Sequence, residues 1–174
     1  MSRYLIPFAM ILLAALSRLL PHLPNFAPIT ALALFSAVYL DKKQTFIVPI
    51  AAMLTSDYFI GFYPGVAWVY ASFIAIGFIG LWLRKHRGTA QTIGATLAGS
   101  VLFFIVTNLG VWISSQVTYP HTLAGLTECY AAAIPFFRNT LLGDGVYVGA
   151  MFGAYELARK FIPSLVAQPP RIEA

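Results

Sequence analysis

The stretch ECYAAAIPFFRNTLLGD, residues 128–144, gathers Glu128, Cys129, Arg138, Asn139 and Asp144 in a chain that is 59% hydrophobic and only 10% charged. Two carboxylates, a guanidinium, an amide and a thiol are groups that can hold a polar solute. Cys129 is the only cysteine, so no internal disulfide forms. A lone thiol can serve as a nucleophile or a soft metal ligand, and inert packing is its commoner fate. Other scarce polar residues belong with this set. Arg18 precedes Pro21, His22, Pro24 and Asn25; Asp57 lies in TSDYFIGFYPG; Asn108 and Trp112 stand one helical turn apart.

An ionisable group inside an apolar segment is costly and normally faces a partner or a wet cavity. Arg18 and Arg138 nearly neutralise Asp57, Glu128 and Asp144. One reading pairs Arg18 or Arg138 with Asp57 to pin helices together. The other is a solute pocket formed by Arg18, Asp57, Asn108, Trp112, Glu128, Cys129, Tyr130, Arg138, Asn139 and Asp144, with Tyr58, Tyr63 and Tyr119 as further walls. The arginines would then hold anionic or carbonyl groups, Asp57 and Asp144 cationic or hydroxyl groups, and the aromatics a ring. Residues 128–144 would form its lid and one wall. On a helix Asp144 shares its face with Thr140 and Tyr147, so it does not pair locally with Arg138.

Familiar catalytic patterns are missing. There is no Walker A sequence, HExxH, paired CxxC or GxSxG. His22, His86 and His121 stand singly, and nothing assigns a cofactor or a resident metal. An enzyme would have to use Cys129 with Glu128 or His121 within hydrogen-bond reach.

These residues must be positioned by apolar helices. The 174 residues suit one domain, and too few polar side chains remain to cover a soluble globule. Apolar runs at 5–20, 26–40, 46–62, 66–83, 93–114 and 136–158 predict an all-α polytopic membrane protein, a six-helix bundle forming one integral membrane domain over 1–174. A full span takes about 20 residues, so the first three runs are short. The N-terminal run lacks a clear cleavage site and reads as an uncleaved first helix.

Basic residues orient the bundle. Arg3, Lys42, Lys43, Arg84, Lys85, Arg87, Arg159, Lys160 and Arg171 fall on one side, and only Arg18 and Arg138 on the other. The basic-rich side is then cytoplasmic, with both termini inside and the polar set facing out. The net charge of +5 is thereby topology, and no nucleic-acid partner is implied. Gly145, Gly149 and Gly153, with Ala150, Ala154 and Ala158, recur every fourth residue; Ala27/Ala31 and Ala33/Ala37 do so more weakly. Such spacing lets helices approach closely, inside the bundle or against a membrane partner.

SRLLPHLPNFAPITALALF (17–35), SDYFIGFYPGVAWVY (56–70), TNLGVW (107–112) and CYAAAIPFFRNTLLGD (129–144) resemble an uncharacterised bacterial membrane family similar to substrate-binding S components of energy-coupling factor (ECF) vitamin transporters. The resemblance spans roughly residues 17–155. It implies a six-helix bundle in the bacterial cytoplasmic (inner) membrane, with a small-molecule substrate bound from outside. Uptake of a micronutrient such as a vitamin or cobalamin-like compound would follow, with an ECF transmembrane and ATPase module as partner. Cys129 would ligate cobalt if the substrate were a cobalamin. The alternatives are a small membrane enzyme using Cys129 and a structural subunit of a membrane complex.

Overall fold

The computed structural model describes residues 2–114 and 118–161, with side chains from Ile6 onward. The Arg3 side chain and the C-terminal stretch that holds Arg171 lie outside the described residues. The chain is all-helical, with no strand among the described residues. In order it forms α1 (Ser2–Leu19), α2 (Ile29–Tyr39), α3 (Gln44–Ile60), α4 (Val66–Lys85), α5 (Thr89–Ser114) and α6 (Leu123–Phe161).

α2 is the hub. Its sequence, ITALALFSAVY, has no charged residue and no polar face, and all eleven of its residues are buried. A helix apolar all round must be surrounded. The other five do so in chain order, apart from α2 itself: α1 packs on α3, α3 on α4, α4 on α5 and α5 on α6, while each also touches α2. Among the described residues α1 and α6 do not meet, so the wall around α2 stays open on one side.

Small residues make this approach possible. Ala31, Ala33 and Ala37 are fully buried, so of the two readings of their spacing the one inside the bundle applies here. A Cβ on Gly80 of α4 would collide with the Ala37 side chain and crowd the Leu34 backbone. At the far end of α2, Phe35 and Tyr39 stack with Phe152 and Tyr155 of α6. Arg84 donates its Nε to the Ala37 carbonyl and Nη2 to that of Leu40. Arg87 Nη2 reaches the Val38 carbonyl at 3.3 Å. Carbonyls at a helix C-terminus lack intrahelical partners and carry partial negative charge. These two arginines therefore seal α2 as well as contributing to the charge asymmetry.

The largest departure from expectation is α6. It begins at Leu123 and not near residue 136, where the last apolar run starts, so residues 123–135 are helix. Pro135 lies inside the helix, which runs through it for 39 residues, roughly 58 Å at 1.5 Å per residue. Proline removes one hydrogen bond, and the strong helix formers on either side carry the helix across it. Thr122 provides the true start: its hydroxyl accepts from the Gly125 N–H at 3.1 Å, a side-chain N-cap.

Two helices, Val66–Lys85 and Thr89–Ser114, are long and apolar enough to cross a membrane. Ile6–Leu19, Ile29–Tyr39 and Gln44–Ile60 are shorter apolar helices.

Candidate functional site

One end of the bundle holds a cavity of about 420 Å³. The end of α1, the loop that follows it, the start of α2 and the α6 face through Ala133, Thr140 and Asp144 all line it, together with Met53, Tyr63, Phe73 and the α5 segment from Phe103 to Val111.

Arg18, in the last turn of α1, projects into this cavity. Its Nη1 lies 2.8 Å from Asp57 Oδ1, whose side chain is wholly buried. The same nitrogen donates to Ser56 Oγ and, at 3.5 Å, to the Met53 carbonyl. Tyr70 O–H donates to Asp57 Oδ2 at 2.8 Å. Tyr70 thus hydrogen-bonds one carboxylate oxygen, while Arg18 meets the other as an ion contact outside hydrogen-bond geometry. The charge pair ties α1 to α3 while Tyr70 adds α4. Asp57 stands behind the cavity wall, with Arg18 between it and the space. Partial burial first, and the Asp57 carboxylate second, raise the Tyr63 phenol above its ordinary range, with Arg18 opposing. Tyr63 therefore stays a neutral hydroxyl at the rim.

Asp144 lies deeper and is 2% exposed. Its Oδ2 accepts from Ser100 Oγ at 2.6 Å, and Thr30 lines the same cavity. Ser100 is roughly 17 Å from the first residue of α5 and roughly 21 Å from the last. Asp144 therefore occupies the middle of the bundle. Asn108 lines the cavity too, with its Nδ2 donating to the Phe104 carbonyl at 2.7 Å.

The other expected site residues are elsewhere. Trp112 Nε1 donates to the Pro120 carbonyl at 3.0 Å, and its ring lies 5.0 Å from that of His121. It latches the end of α5 to the chain before α6. Tyr130 O–H donates to the Ile105 carbonyl at 2.7 Å and its ring meets Phe104, bracing α6 on α5. Asn139 Nδ2 donates to the Pro24 carbonyl at 3.0 Å and fastens the α1–α2 loop. Glu128 and Arg138 are exposed and off the cavity. Tyr58 is 76% exposed and, like Tyr119, forms no wall.

Cys129 is buried, with its Sγ 3.5 Å from the Asn108 carbonyl, and it does not line the cavity. Cys129 is therefore not part of the cavity lining that the cobalt-ligand expectation assigned to it. Neither Glu128 nor His121 bonds to it; His121 Nε2 is instead 2.8 Å from the Trp112 carbonyl. Residues 128–144 are therefore not a lid: the helix continues through them, and only the Ala133–Thr140–Asp144 face forms a wall.

Residues 1–165 match the family described as Family of unknown function (DUF6580). The chain belongs to DUF6580. No curated protein and no solved structure matches it.

In this DUF6580 member the sequence reading overlooked several lining residues. Thr30, Thr107 and Thr140 line the cavity, as do Phe73, Phe103 and Phe136. Threonines in apolar helices attract little notice because they bond to their own backbone: Thr107 Oγ1 donates to the Phe103 carbonyl at 2.7 Å and Thr140 Oγ1 to that of Phe136 at 3.1 Å. The four-residue step from Thr140 to Asp144 was the available signal.

The opposite end carries a groove of about 680 Å³ between the first half of α5 and the last half of α6. Gly145, Gly149 and Gly153 line it, and a Cβ on any of them would meet nothing within 4 Å. The glycine stripe therefore does not serve packing inside the bundle.

Proposed function

We propose that this chain is a membrane-embedded binding protein for a small solute, built on the plan of an ECF S component and used in micronutrient uptake. The observation that carries this reading is the 420 Å³ cavity at which Arg18, Asn108 and Asp144 converge from three helices. Its size falls in the range of small-molecule sites.

Membrane insertion is supported by the outer surface. Ile93, Leu97, Val101 and Ile105 form an exposed apolar stripe along α5 at four-residue spacing, and Phe8, Leu12 and Leu16 do so on α1. A soluble monomer rarely exposes stripes of this kind. All six helices then belong to the membrane domain, the shorter ones with local thinning. α6 exceeds the ~30 Å hydrocarbon core, so it projects beyond the bilayer. The groove end holds Lys42, Lys43, Arg84, Lys85, Arg87, Arg159 and Lys160, which sets it in the cytoplasm and opens the cavity outward. The compartment follows as the bacterial inner membrane. Without a Walker A sequence the chain depends on a partner for ATP-driven transport, and an ECF transmembrane and ATPase module is the proposed one.

The test is a thermal-shift screen of detergent-purified protein against water-soluble vitamins and corrinoids. At least one compound should stabilise the parent, and Ala133→Phe, which fills the cavity, should abolish the effect. Glu128→Ala and Arg138→Ala should retain it. A panel that shifts nothing, from protein that carries no solute of its own, contradicts the reading.

A second reading, a subunit of a larger membrane assembly, is favoured by the open glycine stripe of α6. Close helix docking would bury that stripe. Gly149→Phe should then strip a co-purifying membrane protein from the parent complex and leave solute binding intact.

A further inference from the structure

Resting on the cavity reading above, the chemistry of the lining defines the class of solute. The charge of Arg18 is already compensated by Asp57 at 2.8 Å, so the two act as a neutral unit. Asp144 lines the cavity, is 2% exposed, and has no cationic partner among the described residues. Arg138, the other basic side chain at this end, is exposed and off the lining. His22 sits at the mouth with its Nδ1 against the Leu20 carbonyl, and no lysine lines the space. A buried carboxylate without a cation is a costly arrangement that a bound cation relieves.

A second observation is independent of charge. On the α5–α6 wall the polar side chains beside Asp144 have donors engaged within the protein, while Arg18 and Tyr63 keep N–H and O–H donors on the α1 and α3–α4 side. Asn108 Nδ2 donates one N–H to the Phe104 carbonyl and leaves Oδ1 open as an acceptor. Thr107 and Thr140 donate to carbonyls of their own helix. What these three residues and Asp144 offer a solute is acceptors. Phe73 and Phe136 add aromatic surface, which favours a flat ring and attracts positive charge.

We infer that the cavity selects a small aromatic cation bearing N–H donors, its charge seated on Asp144 and its donors on the acceptors of α5 and α6. An anion of the same shape would meet the Asp144 carboxylate, and the Arg18 charge that could hold it is already compensated by Asp57.

Three matched probes test this on the full-length protein in detergent: benzamidinium, benzamide and benzoate, with dissociation constants measured by calorimetry or thermal shift. Benzamidinium should bind the parent at least tenfold more tightly than either other probe, and Asp144→Asn should remove that preference. If Asp144→Asn does not fold, Asn108→Leu should weaken benzamidinium by a similar factor, since it deletes an acceptor without changing charge. Benzamide binding as tightly as benzamidinium, or benzoate more tightly, overturns the solute class. If that binding still vanishes in Ala133→Phe, the cavity reading survives the loss. Failure of all three probes to bind the parent overturns the solute class, while the cavity reading stands or falls on the vitamin and corrinoid screen.

Discussion

Removing both members of the Arg18–Asp57 pair should cost less than the sum of the two single removals. Asp57 is completely buried and each of its oxygens has a partner: Arg18 at 2.8 Å and Tyr70 at 2.8 Å. Arg18→Met leaves a carboxylate with no exposure and one neutral donor. Stranding a buried charge costs about 3–5 kcal/mol. Asp57→Asn is milder, because the Arg18 side chain is 13% exposed, keeps Ser56 and Met53, and can turn toward the cavity. A loss of about 2–3 kcal/mol is expected there, the cost of a charged hydrogen bond and little more. The double variant strands neither charge and should lose at least ~2 kcal/mol less than the sum of the singles. Equilibrium unfolding by SDS in mixed micelles, followed by tryptophan fluorescence, measures all three. Additivity to within about 0.5 kcal/mol would refute a direct pair.

Gly149→Ala should be neutral or stabilising by up to about 1 kcal/mol, because nothing approaches within 4 Å and alanine favours helix. Gly80→Ala should destabilise by about 1–3 kcal/mol in the same unfolding assay, since its methyl must displace Ala37. Thr122→Val should lose about 1 kcal/mol of capping and speed amide exchange at the start of α6; unchanged exchange would place the cap elsewhere. Reporter fusions at Lys43 and Arg87 should report the cytoplasm and one at Thr122 the outside. A cytoplasmic signal at Thr122 would reverse the proposed orientation of the cavity.

Much of this arrangement is legible from residue types alone, and the failures have identifiable causes. Arg18, Asp57, Asn108 and Asp144 stand out because each is a strongly polar group in an apolar run, where burial forces a partner. The structure brings three of them to one cavity, with the fourth behind Arg18. The apolar runs also located α3, α4 and α5 to within a few residues. Helical phase was harder to read. Glu128 and Arg138 sit on α6 but point away from the Ala133–Thr140–Asp144 face, and the sequence does not say which face meets α5. Trp112, Tyr130 and Asn139 looked like binding groups because their polar atoms need partners, which turned out to be the Pro120, Ile105 and Pro24 carbonyls. Starting the last apolar run at residue 136, just after Pro135, hid the first third of α6, although Thr122 was a readable cap. The glycines of α6 carry the same spacing as the alanines of α2, yet one set faces a groove and the other the core. Spacing records that close approach is possible, while the neighbour is decided by tertiary packing.

The most direct test of the central claim is native mass spectrometry of the protein extracted gently from its own membrane. The parent should carry a small solute that is released on unfolding, and Ala133→Phe, prepared in parallel, should carry none. The same solute retained at equal occupancy in both proteins would contradict the cavity as its site.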